Sequence, residues 1–576
     1  MVLTDGSKEE KMMIKVTTGY PLPQGCTVRG ENVNFSVCVP SGKKCELLLY
    51  KKGKKVPEQI FDMQETGSSG LIRCIALRIP RAEAYEYNYR VDGEIVIDSY
   101  ARAFAGRKVW GEARNIEQHE VRARIIDTEF PWEDDKRPHL AQNEVIAYSL
   151  HVRGFTKHSS SKVRYKGTFA GVLEKLPYLK DLGVNQIHVM PIYDFEENKS
   201  YLNYWGYGEG YYFAPKSSYA AKEEVTELKN LIKTLHSENM ELILEMPFTG
   251  DTPKMMILGC LRFWVMEYHI DGFILNPCII DRESLINDPV LYGTKIMKKM
   301  DDFQNTMRRF LKGDEGMVPG VMWWLRHQSE EEETFNYITG QTGFTLNDLV
   351  SYDQKHNEEN GEENQDGPDY NFSWNCGVEG PTRKRSVVEL RRKQIYNAFF
   401  LLLLAQGTPC ILAGDEFANS QKGNNNVYCQ DNPVSWLDWS KLQKEEKLHQ
   451  FVKDLIAFRK AHKVLHPEHE MMGIDSTSCG IPDISYHSEN AWQTSSEVSS
   501  RQIGVFYHGS DEEESCYVAY NMHWVSHLFA LPALPKGKHW YLAASTDDGV
   551  LKEPVLIEEA KCVEVEERTI KVFIVK

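Results

Sequence analysis

Two kinds of hydrophobic pattern follow each other along this chain, and their order constrains the fold more than any other feature. From about residue 140 to residue 465, short apolar runs such as 187–190 alternate with segments whose apolar residues recur every three or four positions, such as 173–182. Short apolar runs are typical of buried strands, and the longer periodic segments are typical of helices. Repeated strand and helix alternation predicts a parallel α/β barrel or an open parallel sheet.

The regions on either side of this alternation have a different pattern. Residues 15–125 contain short runs of alternating apolar and polar residues, for example 33–37 and 85–90, separated by turn-forming residues. This pattern predicts an antiparallel β-sandwich. Short strand patterns return in residues 466–576, including 503–507 and 570–575. We therefore predict three domains, with boundaries 15–125, 140–465 and 466–576.

Charge and cysteine usage exclude several classes of partner and location. The net charge is −16, and we identify no long run of Lys and Arg, so nucleic acid and anionic membranes are not expected partners. The twelve cysteines are scattered without a C-x-x-C pair, which favours reduced thiols. The N-terminus has no apolar stretch of a secretory signal. We expect a cytoplasmic protein that needs no cofactor and no metal.

Two further segments have a simple structural interpretation. The apolar run at 398–414 is interrupted by Gln406 to Pro409, so we predict a buried helix followed by a buried strand instead of a membrane span. The acidic runs at 330–333, 358–366 and 511–514 are interpreted as solvated loops.

Several motifs carry a more specific signal. They are YPLPQG at 20–25, DSYARA at 98–103, LHVRGFT at 150–156, KGTFAG at 166–171, NYWGY at 203–207, TLNDLVSY at 345–352, SWNCGVEGPT at 373–382 and AGDEF at 413–417. In this order they resemble the isoamylase and glycogen-debranching branch of the α-amylase superfamily, glycoside hydrolase family 13. The resemblance implies a (β/α)₈ barrel between a carbohydrate-binding-module-like β-sandwich and a C-terminal β-domain. It also implies hydrolysis of α-1,6 branches in glycogen or starch by a retaining mechanism.

The positions that carry this chemistry in the family differ here. The nucleophile pattern D-G-F-R-F-D reads DGFILN at 271–276, which places Asn276 at the nucleophile and Ile274 at the supporting Arg. An amide is a far poorer nucleophile than a carboxylate. The acid position falls on a lysine in either register, Lys298 or Lys299, and the third carboxylate is replaced by Thr342. A lysine is too weak an acid to donate a proton efficiently near neutral pH.

The first motif of the family is also altered. It reads EMPFTG at 245–250, without the Asn and His that would contact the sugar. Only 20 residues separate Gly250 from Asp271, where the family has a long loop, so we expect an open or remodelled cleft. Since Glu245 faces Ile274 instead of an arginine, we expect it to be protonated, paired with another cation or turned to solvent.

Aromatic residues for glucan binding remain. Tyr207 matches the aromatic platform of the family, and Tyr204, Trp205 and Trp374 are further candidates for substrate binding. Each has burial in a core as its alternative interpretation. Trp110 and the Asn424–Asn426 run are weaker candidates, with packing and turn formation as their alternatives.

Three functional hypotheses follow from this pattern. The leading one is a non-catalytic isoamylase-like protein that binds α-glucan (glycogen, starch or maltooligosaccharide) or an active debranching enzyme. The second is an active glycoside hydrolase whose acids have moved, with Glu245, Asp301 and Asp302 as candidates. The third is a purely structural oligomer component without sugar affinity, which would give no heat with maltooligosaccharides.

Overall fold

The computed structural model describes residues 14–66, 70–475, 478–495, 497–509, 515–558 and 561–576. The N-terminal stretch without an expected signal and the acidic run at 511–514 lie outside these residues. The chain divides into two compact units. The first comprises the described residues up to Asp134 with Ile192–Leu231 and Asp251–Tyr268, and the second comprises Asp135–Pro191, Ile232–Gly250 and the residues from His269 onward.

The N-terminal part of the first unit consists of two antiparallel sheets, as the alternating pattern predicts. One sheet has the order β1-β7-β3-β2 with β6 on β7, and the other has the order β10-β11-β8-β4-β5 with β9 on β8. Alternate residues such as Val33 and Phe35, or Leu47 and Leu49, enter a common buried core. The strands are β1 (Lys15–Thr18), β2 (Gly25–Arg29), β3 (Asn32–Cys38), β4 (Cys45–Lys51), β5 (Gln59–Asp62), β6 (Glu65–Thr66), β7 (Ile72–Arg78), β8 (Tyr85–Val91), β9 (Glu94–Val96), β10 (Phe104–Ala105) and β11 (Arg122–Arg124).

The middle of the chain alternates strands and helices. The strands are β12 (Ala147–Leu150), β13 (Gln186–Val189), β14 (Tyr193–Phe195), β15 (Gly210–Pro215), β16 (Glu241–Glu245), β17 (Gly272–Ile274), β18 (Lys295–Lys299), β19 (Thr334–Asn336) and β20 (Thr408–Leu412). The helices are α1 (Val152–Lys157), α2 (Phe169–Glu174), α3 (Leu176–Leu182), α4 (Glu224–Ser237), α5 (Lys254–Tyr268), α6 (Arg282–Ile286), α7 (Asp301–Lys312), α8 (Val318–Arg326), α9 (Leu346–Leu349), α10 (Arg385–Leu403), α11 (Ser440–Lys444) and α12 (Glu446–Ala461).

The second unit contains a closed parallel barrel of the order β12-β13-β16-β17-β18-β19-β20. Its interior is filled by apolar side chains, among them Val145, Ile243 and Met297. This confirms the fold class of a TIM-type barrel between β-rich regions. Seven strands close the barrel in the described part of the chain, because α7 and α8 follow β18 without a strand between them and β18 pairs directly with β19.

Local sequence signals explain several of these helices and strands. Thr168 caps α2 by accepting a hydrogen bond from the Gly171 amide at 3.2 Å. The apolar run at 398–414 forms the buried end of α10 and then β20, in which all five residues are buried, as predicted. None of the helices among the described residues has the length and apolar character needed to cross a bilayer.

The C-terminal part of the second unit is a β-domain. Its larger antiparallel sheet has the order β21-β22-β23-β28-β25-β26, and β24 pairs with β27. Phe506, Tyr517 and Phe573 pack in a core between these strands. The strands are β21 (Ile484–His487), β22 (Gln502–Tyr507), β23 (Cys516–Asn521), β24 (His527–Ala530), β25 (Trp540–Ser545), β26 (Gly549–Leu556), β27 (Cys562–Val565) and β28 (Thr569–Val575).

Candidate functional site

A cavity of about 410 Å³ lies at the carboxyl ends of the barrel strands, within the second unit. Its lining includes the last residues of β16, β17 and β18, which are Glu245, Ile274 and Lys299. The carboxyl ends of parallel strands are where barrel enzymes build their sites. We call this space the barrel cavity.

An ion pair crosses the floor of the barrel cavity. Lys299 Nζ lies 2.9 Å from Glu245 Oε1, with side-chain exposures of 40% and 14%. Ile274 occupies the strand between them and packs in the barrel core, so Glu245 has no arginine there. Of the three outcomes expected for Glu245, the structure therefore has the one in which it pairs with another cation.

Lys299 is held in its charged form. Burial would lower the pKa of Lys299, but its ion pair with Glu245 and the nearby Asp301 outweigh this and raise the pKa above its ordinary value. Near neutral pH this side chain is a cation that donates a hydrogen bond to a carboxylate. With its pKa raised, this ammonium group is too weak an acid to give a proton efficiently to a leaving group at that pH.

The two lysines considered for the acid position point in different directions. Side chains alternate along a strand, so Lys299 shares the inward face of β18 with Met297. Lys298 faces the other way and pairs with Glu332 at 2.9 Å. Only Lys299 of the two lines the barrel cavity.

A second carboxylate of the cavity belongs to Asp301, at the start of α7. Tyr337, just after β19, donates a short hydrogen bond from its hydroxyl to Asp301 Oδ1. Burial and the adjacent Asp301 raise the pKa of Tyr337 well above its ordinary value, so the phenol stays protonated. Asp302, the neighbouring candidate, is exposed and is not in the cavity lining.

His188 lines the cavity from β13 and is neutral. Burial, together with Lys299 and Lys295, lowers the pKa of His188 to about 3. Its Nε2 lies 2.6 Å from Gln186 Oε1, and its ring packs edge to face on Phe335 at 4.8 Å. A neutral imidazole here adds no charge beside the Glu245–Lys299 pair.

Arg308, from α7, ties two loops of the cavity wall together. Its Nε donates to Ile338 O at 2.7 Å and its Nη1 donates to Asn371 O at 3.1 Å. Burial lowers the pKa of Arg308 to about 10, which leaves it protonated near neutral pH. Beside Asn371, Tyr370 is 85% exposed at the cavity lining. An exposed aromatic ring at a cavity entrance can stack on a sugar.

Four residues of the cavity were not predicted from the sequence as site residues: Tyr337, Tyr370, Arg308 and His188. Tyr337 directly follows β19 and His188 is the second-last residue of β13, positions that place a side chain near a barrel mouth, whereas Arg308 lies within α7 and carries no such signal. Tyr370 carries no such signal either, because it lies in the long loop between α9 and α10.

The predicted aromatic platform lies in the first unit, on the loop between β14 and β15. Tyr204 and Trp205 are buried, and Tyr207 is half-buried with its ring 5.6 Å from that of Trp205. Trp110 contacts Tyr204 edge to face at 6.3 Å and stacks on Tyr219, which gives it a packing role.

Asn203 fixes the turn that carries these rings. Its Oδ1 accepts from the Gly206 amide at 3.0 Å and its Nδ2 donates to Tyr207 O at 3.1 Å. Gly206 has φ +83°, and a Cβ there would lie 2.3 Å from the Phe195 ring, so only glycine fits.

Trp374 and the asparagine run lie in the second unit. Trp374 is half-buried under the Arg568 guanidinium at 4.9 Å and is not in the lining of the barrel cavity. Asn425 is buried, accepts from Asn357 Nδ2 at 2.8 Å and donates to Pro368 O at 2.8 Å. Asn425 therefore holds the loop that bears Tyr370, which is the structural alternative given for it.

Comparison with known proteins identifies the family. The family model "Alpha amylase, catalytic domain" matches residues 149–252. Isoamylase 1, chloroplastic, of Arabidopsis thaliana is 29% identical over 674 residues, covering 91% of this chain and 84% of that protein. The glycogen operon protein GlgX homolog of Haemophilus influenzae is 30% identical over 572 residues, covering 78% of this chain and 85% of that protein. This chain belongs to the isoamylase and glycogen-debranching branch of glycoside hydrolase family 13.

Solved structures agree on the fold. The catalytic module of the glycogen-degrading pneumococcal virulence factor SpuA superposes with a TM-score of 0.75 at 17% identity, covering 97% of this chain and 98% of that chain. The pullulanase from Bacillus acidopullulyticus superposes with a TM-score of 0.72 at 18% identity, covering 96% and 75%.

Asn276 and Thr342, two positions predicted from the glycoside hydrolase family 13 pattern, differ in their relation to the barrel cavity. Asn276 lies two residues beyond β17, is exposed, and accepts a hydrogen bond from the Cys278 amide at 2.9 Å. It forms a turn and is not in the lining of the barrel cavity, whereas Thr342 is. The cavity thus brings together Lys299 and Thr342, but not Asn276.

Proposed function

We propose that this member of glycoside hydrolase family 13 binds α-glucan at the barrel cavity without hydrolysing it, and acts as a regulatory partner of an active debranching enzyme. The observation that carries the proposal is the Glu245–Lys299 ion pair in the lining of a cavity of about 410 Å³. A charged lysine stands where the family pattern would put the proton donor.

Retaining hydrolysis needs two carboxyl groups about 5–5.5 Å apart, one as nucleophile and one as acid. In the proposal, the family pattern assigns Asn276 to the nucleophile, Lys299 to the acid and Thr342 to the third carboxylate, and of these only Lys299 and Thr342 line the cavity. Removing one member of such a set commonly costs about 10⁴-fold or more in rate. Three replacements together support the absence of ordinary turnover.

Sugar binding needs a cavity, aromatic faces and hydrogen-bonding groups. A volume of about 410 Å³ is within the range of small-molecule sites. Tyr337 and Tyr370 supply rings, and Thr342 and Asn371 supply polar groups. Tyr207 of the first unit, with Tyr204, Trp205 and Trp374, remains our candidate for additional glucan contact. Two of the names, a glycogen operon protein homolog and a glycogen-degrading virulence factor, favour glycogen as the glucan, and starch is our alternative.

The remaining parts of the proposal concern location and partners. We place the protein in the cytoplasm, with an α-glucan and an active debranching enzyme as its partners and without nucleic acid or a membrane. Free thiols at all twelve cysteines fit this placement.

Two paired measurements test this function. The first follows release of reducing ends from glycogen, with an active isoamylase as the positive control, and we expect no release above the protein-free rate. The second is affinity electrophoresis in glycogen gels, in which we expect retardation that Tyr370→Ala reduces. Absence of retardation, together with failure to co-purify with a debranching enzyme, would rule the proposal out.

One observation favours the second candidate function, an active hydrolase with relocated acids. Glu245 and Asp301 line the same cavity. Yet Glu245 is paired with Lys299, and Asp301 accepts from Tyr337, so neither is placed as a free nucleophile. Reducing-end release that disappears in Glu245→Gln or Asp301→Asn would select this candidate over glucan binding alone.

A further inference from the structure

The net charge of −16 conceals a local basic surface in the second unit. It is formed by α10 and by the segment α11–α12, and its cations are Arg391, Arg392, Lys393, Lys441 and Lys447. The sequence has no long run of Lys and Arg, but the fold gathers these cations on one surface. The cations come from two distant parts of the sequence, so neither the net charge nor a search for one long run reveals them.

A cavity of about 360 Å³ lies at this surface, and it shares no lining residue with the barrel cavity. We call it the basic cavity. Arg391, Arg392 and Lys441 line it, against a single carboxylate in the lining, Glu445. Its volume is within the range of small-molecule sites.

The charges of these cations are not neutralised by ion pairs. Arg391 is buried and donates to backbone carbonyls, Gly380 O at 2.8 Å and Asn375 O at 2.9 Å. Lys441 donates to Ala418 O at 3.0 Å. Among the described residues, no ion pair joins Arg392 or Lys441 to a carboxylate, although Asp348, Asp438 and Glu445 lie near enough to Lys441 to oppose the lowering of its pKa by burial. A dianionic group would therefore meet two available cations there.

The rest of the lining is suited to a sugar. Ser351, Thr382 and Ser420 supply hydroxyl groups, and Tyr352 and Ile395 supply apolar surface. A sugar ring presents hydroxyls at its edge and C–H groups on its faces, which match these two kinds of group.

A neighbouring groove is less suitable. It has a volume of about 580 Å³, shares Arg392 and adds Lys393 and Lys447. Its cations are offset by carboxylates, since Lys393 pairs with Asp547 at 3.3 Å and Glu567 also lines it. The basic cavity has one carboxylate in its lining, Glu445, whereas the groove has three.

We propose that the basic cavity is a second ligand site that binds the phosphate ester of a sugar, with Arg392 and Lys441 contacting the phosphate. Arginine matches the geometry of phosphate oxygens with its planar fork, and lysine acts as a point charge. The ester can belong to a free sugar phosphate or to a phosphorylated glucan chain. This site does not depend on glucan binding at the barrel cavity.

Isothermal titration calorimetry of the full chain tests the site. Glucose 6-phosphate is the probe, with glucose and inorganic phosphate as comparisons. We expect one glucose 6-phosphate per chain, no heat with glucose and weaker binding of inorganic phosphate. Raising the salt concentration weakens the binding, because the charges are partly solvated. No heat with glucose 6-phosphate, or equal affinity for inorganic phosphate, would overturn the proposal.

Matched variants locate the site. Arg392→Gln/Lys441→Gln weakens glucose 6-phosphate binding at least tenfold, and Lys166→Gln/Lys463→Gln, which removes two exposed cations elsewhere in the second unit, changes it less than twofold. Thermal melting verifies folding, and the single exposed change Arg392→Gln serves if the double variant does not fold. Unchanged binding in the Arg392 variants contradicts the assignment.

The source of the ester is decided on affinity gels. One gel contains phosphorylated amylopectin, and the other contains the same polymer after phosphatase treatment. Retardation that phosphatase treatment lowers assigns the ester to the polymer. Equal retardation in both gels, while glucose 6-phosphate still binds, assigns it to the free sugar phosphate.

Discussion

At the scale of single residues, the barrel cavity contains a lysine that is paired with a glutamate. Lys299 and Glu245 neutralise each other at 2.9 Å. Replacing one partner leaves the other ionised in a partly buried cavity, which costs free energy. The neighbouring Lys298 has the same chemistry on the exposed face of β18, and it is a matched control.

Lys299→Met should lower the free energy of unfolding by about 1 kcal/mol, because Glu245 loses its partner while solvent still reaches the pair. Lys298→Met should change it by less than about 0.5 kcal/mol, since Lys298 and Glu332 are both well exposed. Urea unfolding measures both. Equal changes in the free energy of unfolding would show that the cavity ion pair contributes no more to stability than the exposed Lys298–Glu332 pair.

Two buried histidines have pKa values that are shifted in opposite directions. Burial, Lys299 and Lys295 lower the pKa of His188 to about 3. Burial would also lower the pKa of His236, but Asp271 and Asp135, with side-chain contacts at 3.1 Å and 2.9 Å, raise it. NMR titration of histidine-labelled protein should therefore find His188 neutral at pH 5 and His236 protonated above pH ~6.5, the unfolded value.

The same shifts set the sign of the stability change with pH. His188 destabilises the fold as the pH falls from about 6.5 toward 3, because only the unfolded chain binds the proton in that window. The contribution of His236 is fully present below about pH 6.5 and is lost as the pH rises through its raised folded pKa. Comparison with His188→Asn and His236→Asn separates the two, and a His188 titration near pH 6.5 would contradict this environment.

At the scale of secondary structure, the turn between β14 and β15 depends on Asn203. Asn203→Ala removes the hydrogen bonds to the Gly206 amide and to Tyr207 O, which should cost about 1–2 kcal/mol locally. We expect faster hydrogen exchange at 204–208 and weaker binding of maltohexaose. Asn198→Ala, which removes one exposed bond to Gly111 O, is the control. Unaltered exchange in Asn203→Ala would show that the turn is held by its aromatic packing alone.

The position of Asn276, just beyond β17, leads to another prediction. Since Asn276 lies exposed outside the cavity lining, Asn276→Asp alone should release no reducing ends from glycogen. Lys299 and Thr342 still leave the set incomplete. The matched change Lys299→Glu should be equally inactive on its own. Release of reducing ends by Asn276→Asp would contradict this, because it would show that Asn276 alone prevents hydrolysis.

Sequence pattern predicted the strands and helices better than it predicted the site. The alternation that gives β16, α5 and β17 is local, so it can be recognised without the fold. The identity of the lysine that faces the cavity depends on the inward register of β18, which its sequence KIMKK leaves open. Tyr370 could not be found in this way, because a loop fixed by Asn425 brings it to the cavity.

At the scale of the whole molecule, the fold, the barrel cavity and its ion pair are considered together. The barrel and its flanking β-domains follow the debranching branch of glycoside hydrolase family 13. The barrel cavity has a volume of about 410 Å³ and is lined by aromatic rings and by the Glu245–Lys299 ion pair. These features are the basis of our proposal that the protein binds glucan without hydrolysing it. The net charge of −16 is a sum over the whole chain, so it does not reveal the local basic cavity.

The most direct test is a calorimetric titration of the protein with a branched maltodextrin, in which binding and turnover give different heat signals. The account predicts a saturable heat of binding that returns to the baseline after each injection and is weakened by Tyr370→Ala. Sustained heat after saturation would reveal turnover, and the absence of any heat would remove glucan binding. Either result would contradict the central claim.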